Sequence, residues 1–122
     1  MKIGFIGCGN MATAMINGIL ESGAALPEDI MASARTLETK KKIKEILGIQ
    51  YGETNADVAR FADVIFLAVK PQYYEEVIAD IRDEVSREDI IVTIAAGKSL
   101  KWLGEQFKRR LKIIRTMPNT PA

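Results

Sequence analysis

The sequence predicts an α/β fold, with a doubly wound, mainly parallel sheet and helices on both faces. Three observations carry this. First, short β-rich runs alternate with amphipathic helical patterns along all 122 residues, with no repeat, linker or low-complexity tract. Second, Val64-Ile65-Phe66-Leu67-Ala68-Val69 and the run from Ile90 to Ala95 are apolar without alternation, as strands covered on both faces require. Third, Gly7-Cys8-Gly9-Asn10-Met11-Ala12 matches G-x-G-x-x-A and falls between the first strand and the first helix. Right-handed crossovers in such a sheet put a ligand at the carboxyl ends of the strands. A flavodoxin-like or other α/β layer fold shows the same alternation, so the pattern by itself favours a nucleotide-binding version only modestly.

The elements follow in order. Lys2 to Ile6 is a short strand. Met11, Met15, Gly18 and Ile19 recur at helical steps, and Ser22-Gly23 closes that helix with a C-terminal glycine. Pro27-Glu28-Asp29 makes a turn before a second strand, Ile30 to Ala34. Thr36 caps a second helix with an expected apolar face of Leu37, Ile43, Ile46 and Leu47, stopped by Gly48. Ile49 to Tyr51 is a weak strand. Thr54 or Asn55 caps a short helix to about Phe61. The apolar run 64–69 follows. Tyr74, Val77, Ile78, Ile81 and Val85 form the clearest helical stripe. After the strand 90–95 comes a helix capped by Ser99 and lined by Leu100, Leu103, Phe107 and Leu111. Lys112 to Thr116 is the last strand.

Composition narrows the function. Residues 1–122 suit a single domain with one core, and the 48% apolar fraction is ordinary for a globular chain. The 17 basic and 16 acidic side chains nearly cancel, so no bulk field favours nucleic acid or anionic lipid. Without histidine, these residues hold neither a Ser-His-Asp or Cys-His apparatus nor a His-ligated metal. One cysteine excludes an internal disulfide and makes a reducing, cytoplasmic setting the expectation. Phe5-Ile6-Gly7-Cys8 faintly resembles a lipoprotein cleavage site, but the apolar stretch before it is too short, and no membrane association is expected.

The glycine loop points to a dinucleotide in a Rossmann-like domain. Gly7 permits the tight turn, Gly9 lets a pyrophosphate approach the backbone, and Ala12 allows close helix–sheet packing, with Gly18 expected to help one turn later. The first N–H groups of the helix then face the phosphates. A purely structural turn is the plainer alternative. Cys8 takes a variable position as a small filler, unless the loop leaves its thiol exposed. An NAD-selective domain carries an acidic residue about 20 positions beyond the glycines. Here Ala32-Ser33-Ala34-Arg35-Thr36 offers a guanidinium between two hydroxyls instead. Arg35 can bind a phosphate through two parallel hydrogen bonds, with Ser33 and Thr36 as further donors. NADP(H) is therefore expected over NAD(H), which stays possible. The bland alternative makes Arg35 a solvated residue and Thr36 a helix cap only. Lys40, Lys41, Lys42 and Lys44 are expected on a solvated helix face, with Lys40 in reach of the phosphate.

Three further segments join the glycine loop in a resemblance. Together with residues 6–12, Ala68-Val69-Lys70-Pro71-Gln72, Ile94-Ala95-Ala96-Gly97 and Arg115-Thr116-Met117-Pro118-Asn119-Thr120-Pro121-Ala122 resemble the pyrroline-5-carboxylate reductase family, in family order and across essentially the whole chain. The resemblance implies reduction of a cyclic imine amino acid, 1-pyrroline-5-carboxylate, to L-proline with NADPH, or less often NADH. It implies cofactor contacts at Gly7, Cys8, Gly9, Asn10, Met11 and Ala12. It places Ser33, Arg35 and Thr36 at the 2′-phosphate and Asn55 near the adenosine ribose. Ala68, Val69, Lys70 and Pro71, with Ala95, Ala96 and Gly97, would run beside the nicotinamide. Asn119 and Thr120 would lie near the substrate. Each segment has a plainer alternative: a proline-terminated strand, close packing of small residues, or a rigid turn between prolines. Tyr73-Tyr74 and Trp102 are expected to pack in core and surface rather than stack on a ligand.

No residue stands out as proton donor to the imine, and none is assigned a catalytic role. Lys70 is expected to orient the cofactor. The family is a homo-oligomer whose second, helical domain builds the dimer and much of the substrate pocket. That domain is expected to be absent here, which makes these residues a cofactor domain, monomeric or only weakly associated, and without appreciable reductase activity alone. A stand-alone nucleotide-binding module is the alternative from another class. F420-dependent NADP oxidoreductases share the first domain in outline, and the Met-Pro-Asn-Thr-Pro segment argues against them.

Overall fold

A computed structural model describes residues 1–94 and 98–116. Six strands form one parallel sheet: β1 (Ile3–Ile6), β2 (Ile30–Ala32), β3 (Gln50–Tyr51), β4 (Val64–Leu67), β5 (Ile90–Thr93) and β6 (Lys112–Arg115). Their spatial order is β3-β2-β1-β4-β5-β6, the doubly wound order of a Rossmann domain. The chain leaves β1 in one direction and returns at β4 in the other, so the sheet's switch point lies between them. Five helices connect the strands: α1 (Asn10–Ser22), α2 (Leu37–Lys41), α3 (Asn55–Phe61), α4 (Tyr74–Ile81) and α5 (Leu100–Phe107). α2 runs directly into a π-helical segment, Lys42–Leu47.

Alternation along the buried strands divides the core into two layers. Ile6, Ile65, Leu67 and Ile91 pack under α3, α4 and α5, against Val58, Tyr74, Ile78, Leu103 and Phe107. Phe5, Ile30 and Ala32 pack on the opposite face under α1 and the π-helical segment, against Ala12, Ile16, Ile43 and Leu47. Phe5 and Phe66 are register partners, and their rings stack at 4.6 Å. Where α3 crosses β1, the backbones approach closely: a Cβ on Gly4 would sit 2.6 Å from Val58 Cγ1 and 2.8 Å from the Ala62 Cβ. The helices that cover the first layer are also tied at their ends. Arg82 Nε donates to the Gln106 carbonyl, and Arg109 returns N–H donors to the carbonyls of Arg82 and Val85. These guanidinium groups satisfy carbonyls that a helix terminus leaves open.

Several expected details change. The strand runs 30–34 and 64–69 are shorter as ladders, ending at Ala32 and Leu67, because their shared neighbour β1 leaves the sheet at Gly7. The run 90–95 ends as a ladder at Thr93, and Ala95 lies outside the described residues. Leu37 and Ile46 do not join an apolar face: they are 68% and 78% exposed, while Ile43 and Leu47 are buried. The π-helical winding explains Ile46, since wider turns keep residues four apart aligned and rotate a residue three apart off the stripe. The helix expected to reach Leu111 stops at Phe107, where Lys108 takes the left-handed conformation (φ 55°). Leu111 still packs on the core from the following loop, and Leu100 is half-exposed. Val85 lies beyond the end of α4 yet is buried. Gly18 makes no close approach, because a Cβ there would meet open space.

Cys8 is 3% exposed and packs in the second layer beneath the glycine loop, so the thiol is a buried filler and not an exposed one. Burial pushes its pKa up, against smaller opposing effects of the Thr13 hydroxyl and the Lys42 charge.

Two outcomes follow from this packing. Gly4→Ala should lower unfolding stability by about 1–3 kcal/mol in urea titration, and by less than the sum when combined with Val58→Ala. The raised Cys8 pKa makes the folded state hold its proton where the unfolded thiol, at about 8.5, has lost it. That contribution to stability is complete below the unfolded value and is lost as pH rises through the higher folded one. Cys8→Ala should flatten this part of the stability curve above about pH 8.5.

Candidate nucleotide-binding site

The loop after β1 turns into α1 within three residues. Gly7 adopts φ +91°, and a Cβ there would lie 2.8 Å from Val69 Cγ1 and 2.9 Å from the Ala68 carbonyl oxygen. Glycine is therefore required twice, by conformation and by the strand beside it. The Gly7 N–H donates to Ser33 Oγ at 3.2 Å, which joins the loop to the end of β2. Gly9 is different. Its φ is −79°, which any residue can adopt, and a Cβ would meet nothing within 4 Å. Its bare Cα faces open cleft, so the protein's own packing does not demand glycine there.

Gly9 is also the N-cap of α1 and offers no side-chain cap, and the first turn carries no acidic residue. In contrast, α2, α3 and α5 are capped by Thr36, Thr54 and Ser99. The first-turn N–H groups of Asn10, Met11 and Ala12 thus form an uncapped, positively polarised helix end at the switch point. Lys42 adds charge from behind. Its Nζ donates to the Cys8 carbonyl at 2.8 Å, reaching from the π-helical segment. It was expected on a solvated face, and from the junction of α2 with the π-helical segment it reaches the loop instead. Lys40 pairs at 3.7 Å with Glu53 and lies over the Tyr51 ring.

Three adjoining hollows run along the carboxyl edge of the sheet. The central one, about 320 Å³, is lined by Gly7, Cys8, Gly9, Arg35, Thr36, Lys70 and Tyr73, among others. On one side it shares Arg35 with a hollow of about 420 Å³ bounded by Ser33, Asn55 and Asp80. On the other it shares Gly9 and the residues from Ala68 to Lys70 with one of about 350 Å³ that reaches Asn10, Met11, Ala12, Pro71 and Ile94. The structure thus brings the glycine loop, Ser33, Arg35, Thr36, Asn55 and the segment 68–71 to a row of adjoining hollows that form the cleft. Ala95, Ala96, Gly97, Asn119 and Thr120 lie outside the described residues.

The polar groups of the cleft hold one another. Ser33 is buried, and its hydroxyl accepts from Gly7 and donates to Asn55 Oδ1 at 2.8 Å. Its one proton goes to Asn55 here, so the hydroxyl braces the loop against the end of α3. Asn55 Nδ2 in turn donates to Asp80 at 3.2 Å. The Thr36 hydroxyl accepts from the Thr39 N–H and donates to Thr39 Oγ1. Arg35 is the freer cation: half exposed, it stacks on the Tyr73 ring at 3.9 Å and lies 3.7 Å from Glu76. Of the tyrosine pair, Tyr74 is core, with its hydroxyl on the Leu67 carbonyl at 2.8 Å and beside Thr93 Oγ1 at 2.9 Å. It ties together the carboxyl ends of β4 and β5. Tyr73 was expected to pack quietly, but it lines the cleft; the signal available was its place directly after the Lys70-Pro71 strand exit. No metal-binding cluster and no helix long and apolar enough to cross a membrane occurs among the described residues.

Known proteins match this chain throughout. Residues 2–97 match the family model described as NADP oxidoreductase coenzyme F420-dependent. Pyrroline-5-carboxylate reductase of Escherichia coli (strain K12) is 40% identical over 121 residues, covering 99% of this chain and 45% of the relative. The solved pyrroline-5-carboxylate reductase of Coxiella burnetii superposes with a TM-score of 0.92 at 32% identity, over 98% of this chain and 44% of that one. Plasmodium falciparum pyrroline carboxylate reductase, solved with NADP bound, gives a TM-score of 0.86 at 29% identity, over 99% of this chain and 43% of its own. The chain spans under half the length of these relatives. Sheet order, glycine loop and sequence match agree, and the chain belongs to the family described as NADP oxidoreductase coenzyme F420-dependent.

Proposed function

We propose that these residues are the NADP(H)-binding domain of a pyrroline-5-carboxylate reductase, an enzyme that reduces a cyclic imine amino acid to L-proline. The carrying observation is the Gly9 cradle, an open glycine with unstrained backbone at an uncapped helix end. A cofactor phosphate fits there, since backbone donors and a bare Cα are what a pyrophosphate needs. The 40% identity to a named reductase supports the substrate assignment, and the NADP-bound neighbour supports the cofactor.

Roles follow the cleft. Gly7, Cys8 and Gly9 with Asn10, Met11 and Ala12 cradle the diphosphate, with Lys42 adding positive charge behind the loop. Arg35 and Thr36 receive the 2′-phosphate, braced by Ser33, and Asn55 lies beside the adenosine ribose. Ala68, Val69, Lys70 and Pro71 flank the nicotinamide end. When bound, the cofactor supplies a hydride. The chain's own work is to orient it, and no residue here is assigned the imine's proton. The resemblance to the reductase family assigns substrate pocket and homo-oligomer contacts to a further helical domain, and on that reading residues 1–122 by themselves bind cofactor without appreciable turnover. A cytoplasmic setting fits a chain with one buried, unpaired cysteine.

Calorimetric titration tests the reading. The chain should bind NADPH more tightly than NADH, and Arg35→Ala should weaken NADPH by about 10- to 100-fold with little effect on NADH. No binding of either nucleotide ends the cofactor reading. Equal affinities, unchanged by the substitution, remove the phosphate assignment. Proline formation at about 1 s⁻¹ or above by these residues alone contradicts the division of labour. Gly9→Ala should cost at most about 1 kcal/mol of stability, the N-cap preference, while lowering NADPH affinity more than about tenfold.

A further inference from the structure

We propose that Tyr73 and Glu76 set the balance between phosphorylated and unphosphorylated cofactor, Tyr73 by holding Arg35 ready and Glu76 by opposing the phosphate that Arg35 attracts. The inference rests on the cofactor reading above and adds two residues to it.

Arg35 stands on the exposed loop after β2, where a long side chain would otherwise sample many rotamers. The Tyr73 ring lies 3.9 Å from the centre of its guanidinium. Such stacking engages the face of the guanidinium and leaves its in-plane N–H donors for another group. The contact therefore positions Arg35 without using up the hydrogen bonds a phosphate needs. Both side chains line the same hollow as Gly7 and Gly9. Tyr73 is anchored at both levels: its backbone N–H donates to the Lys70 carbonyl in the turn Pro71–Tyr73 that leads into α4, and its partly buried side chain packs against the core.

Glu76 sits in the first turn of α4, and its carboxylate is 3.7 Å from Arg35 Nη1. A phosphate bound to Arg35 must share that cation with a fixed negative charge. A ribose hydroxyl brings no charge and can donate to a carboxylate. Glu76 thus penalises NADPH and tolerates NADH. Both partners are more than half exposed, so the penalty is modest and falls with salt. Arg35 alone would make a strict NADP site; with Glu76 beside it, the site accepts both cofactors with a preference.

The test is the ratio of NADPH to NADH affinity by calorimetry, with adenosine 2′,5′-bisphosphate against adenosine 5′-monophosphate as a second pair that lacks the nicotinamide. Tyr73→Leu keeps an apolar, though smaller, side chain at that place and removes the π face; it should lower both ratios by about three- to tenfold, and Tyr73→Phe should retain them. Glu76→Gln should raise both ratios by about two- to fivefold at low salt, with the gain shrinking as salt rises. An unchanged ratio in either Tyr73→Leu or Glu76→Gln overturns the inference, as does Tyr73→Phe losing as much as Tyr73→Leu. In each of those cases wild-type preference for NADPH leaves the cofactor reading standing. Failure of the wild-type chain to bind NADPH overturns the cofactor reading itself.

Discussion

The chain must leave β1 at the switch point and enter a helix within three residues, beside a neighbouring strand that gives no room. Gly7 meets this demand with a left-handed conformation, in contact range of Val69 and the Ala68 carbonyl. Its N–H is held by the buried serine that follows β2. The exits of three strands therefore meet at one backbone position. The direction of α1 is set there, and so are the open helix end, the exposed Cα of Gly9 and the length of the cleft. A side chain at residue 7 would push β1 and β4 apart at the place where the two halves of the sheet diverge.

The site is built mainly from backbone, with few charged groups. Uncapped N–H groups of α1 provide positive polarity without a side chain that must be desolvated. Lys42 reinforces them from behind, one of its three N–H donors holding the Cys8 carbonyl and its charge near the loop. Along the other half of the cleft, Ser33, Asn55 and Asp80 form a chain of hydrogen bonds that joins β2, α3 and α4. Exposed charged side chains stand at the cleft's rim, Arg35, Glu76 and Lys70 among them.

Much of this was legible in the sequence. Alternation of apolar runs and helical stripes carried all six strands and all five helices, and the glycine motif located the cleft, because its context is a strand before and a helix after. Arg35 was legible as the residue standing where an acidic one is otherwise expected. What failed to show was geometry that depends on neighbours. Leu37 and Ile46 satisfied a helical face on paper, but the π-helical winding turned Ile46 to solvent. That the Ser33 hydroxyl sits between Gly7 and Asn55 follows from the sheet edge and not from any local pattern. Lys42 looked like one lysine in a solvated group of four.

The sequence by itself determined the layer order and the location of the ligand edge. Hydrophobic period and glycine conformation act locally, and a buried parallel sheet admits few ways to join such elements. It also determined that no histidine chemistry operates within these 122 residues. The tertiary structure decided which polar groups are spent inside the protein and which remain for a ligand. Hydrogen bonds between residues 26, 22 and 34 positions apart engage Ser33, Asn55 and Lys42. Stacking across a similar gap in the chain engages only the face of the Arg35 guanidinium, whose Nη1 lies 3.7 Å from Glu76. Those pairings depend on distances across the sheet edge, which no local pattern encodes.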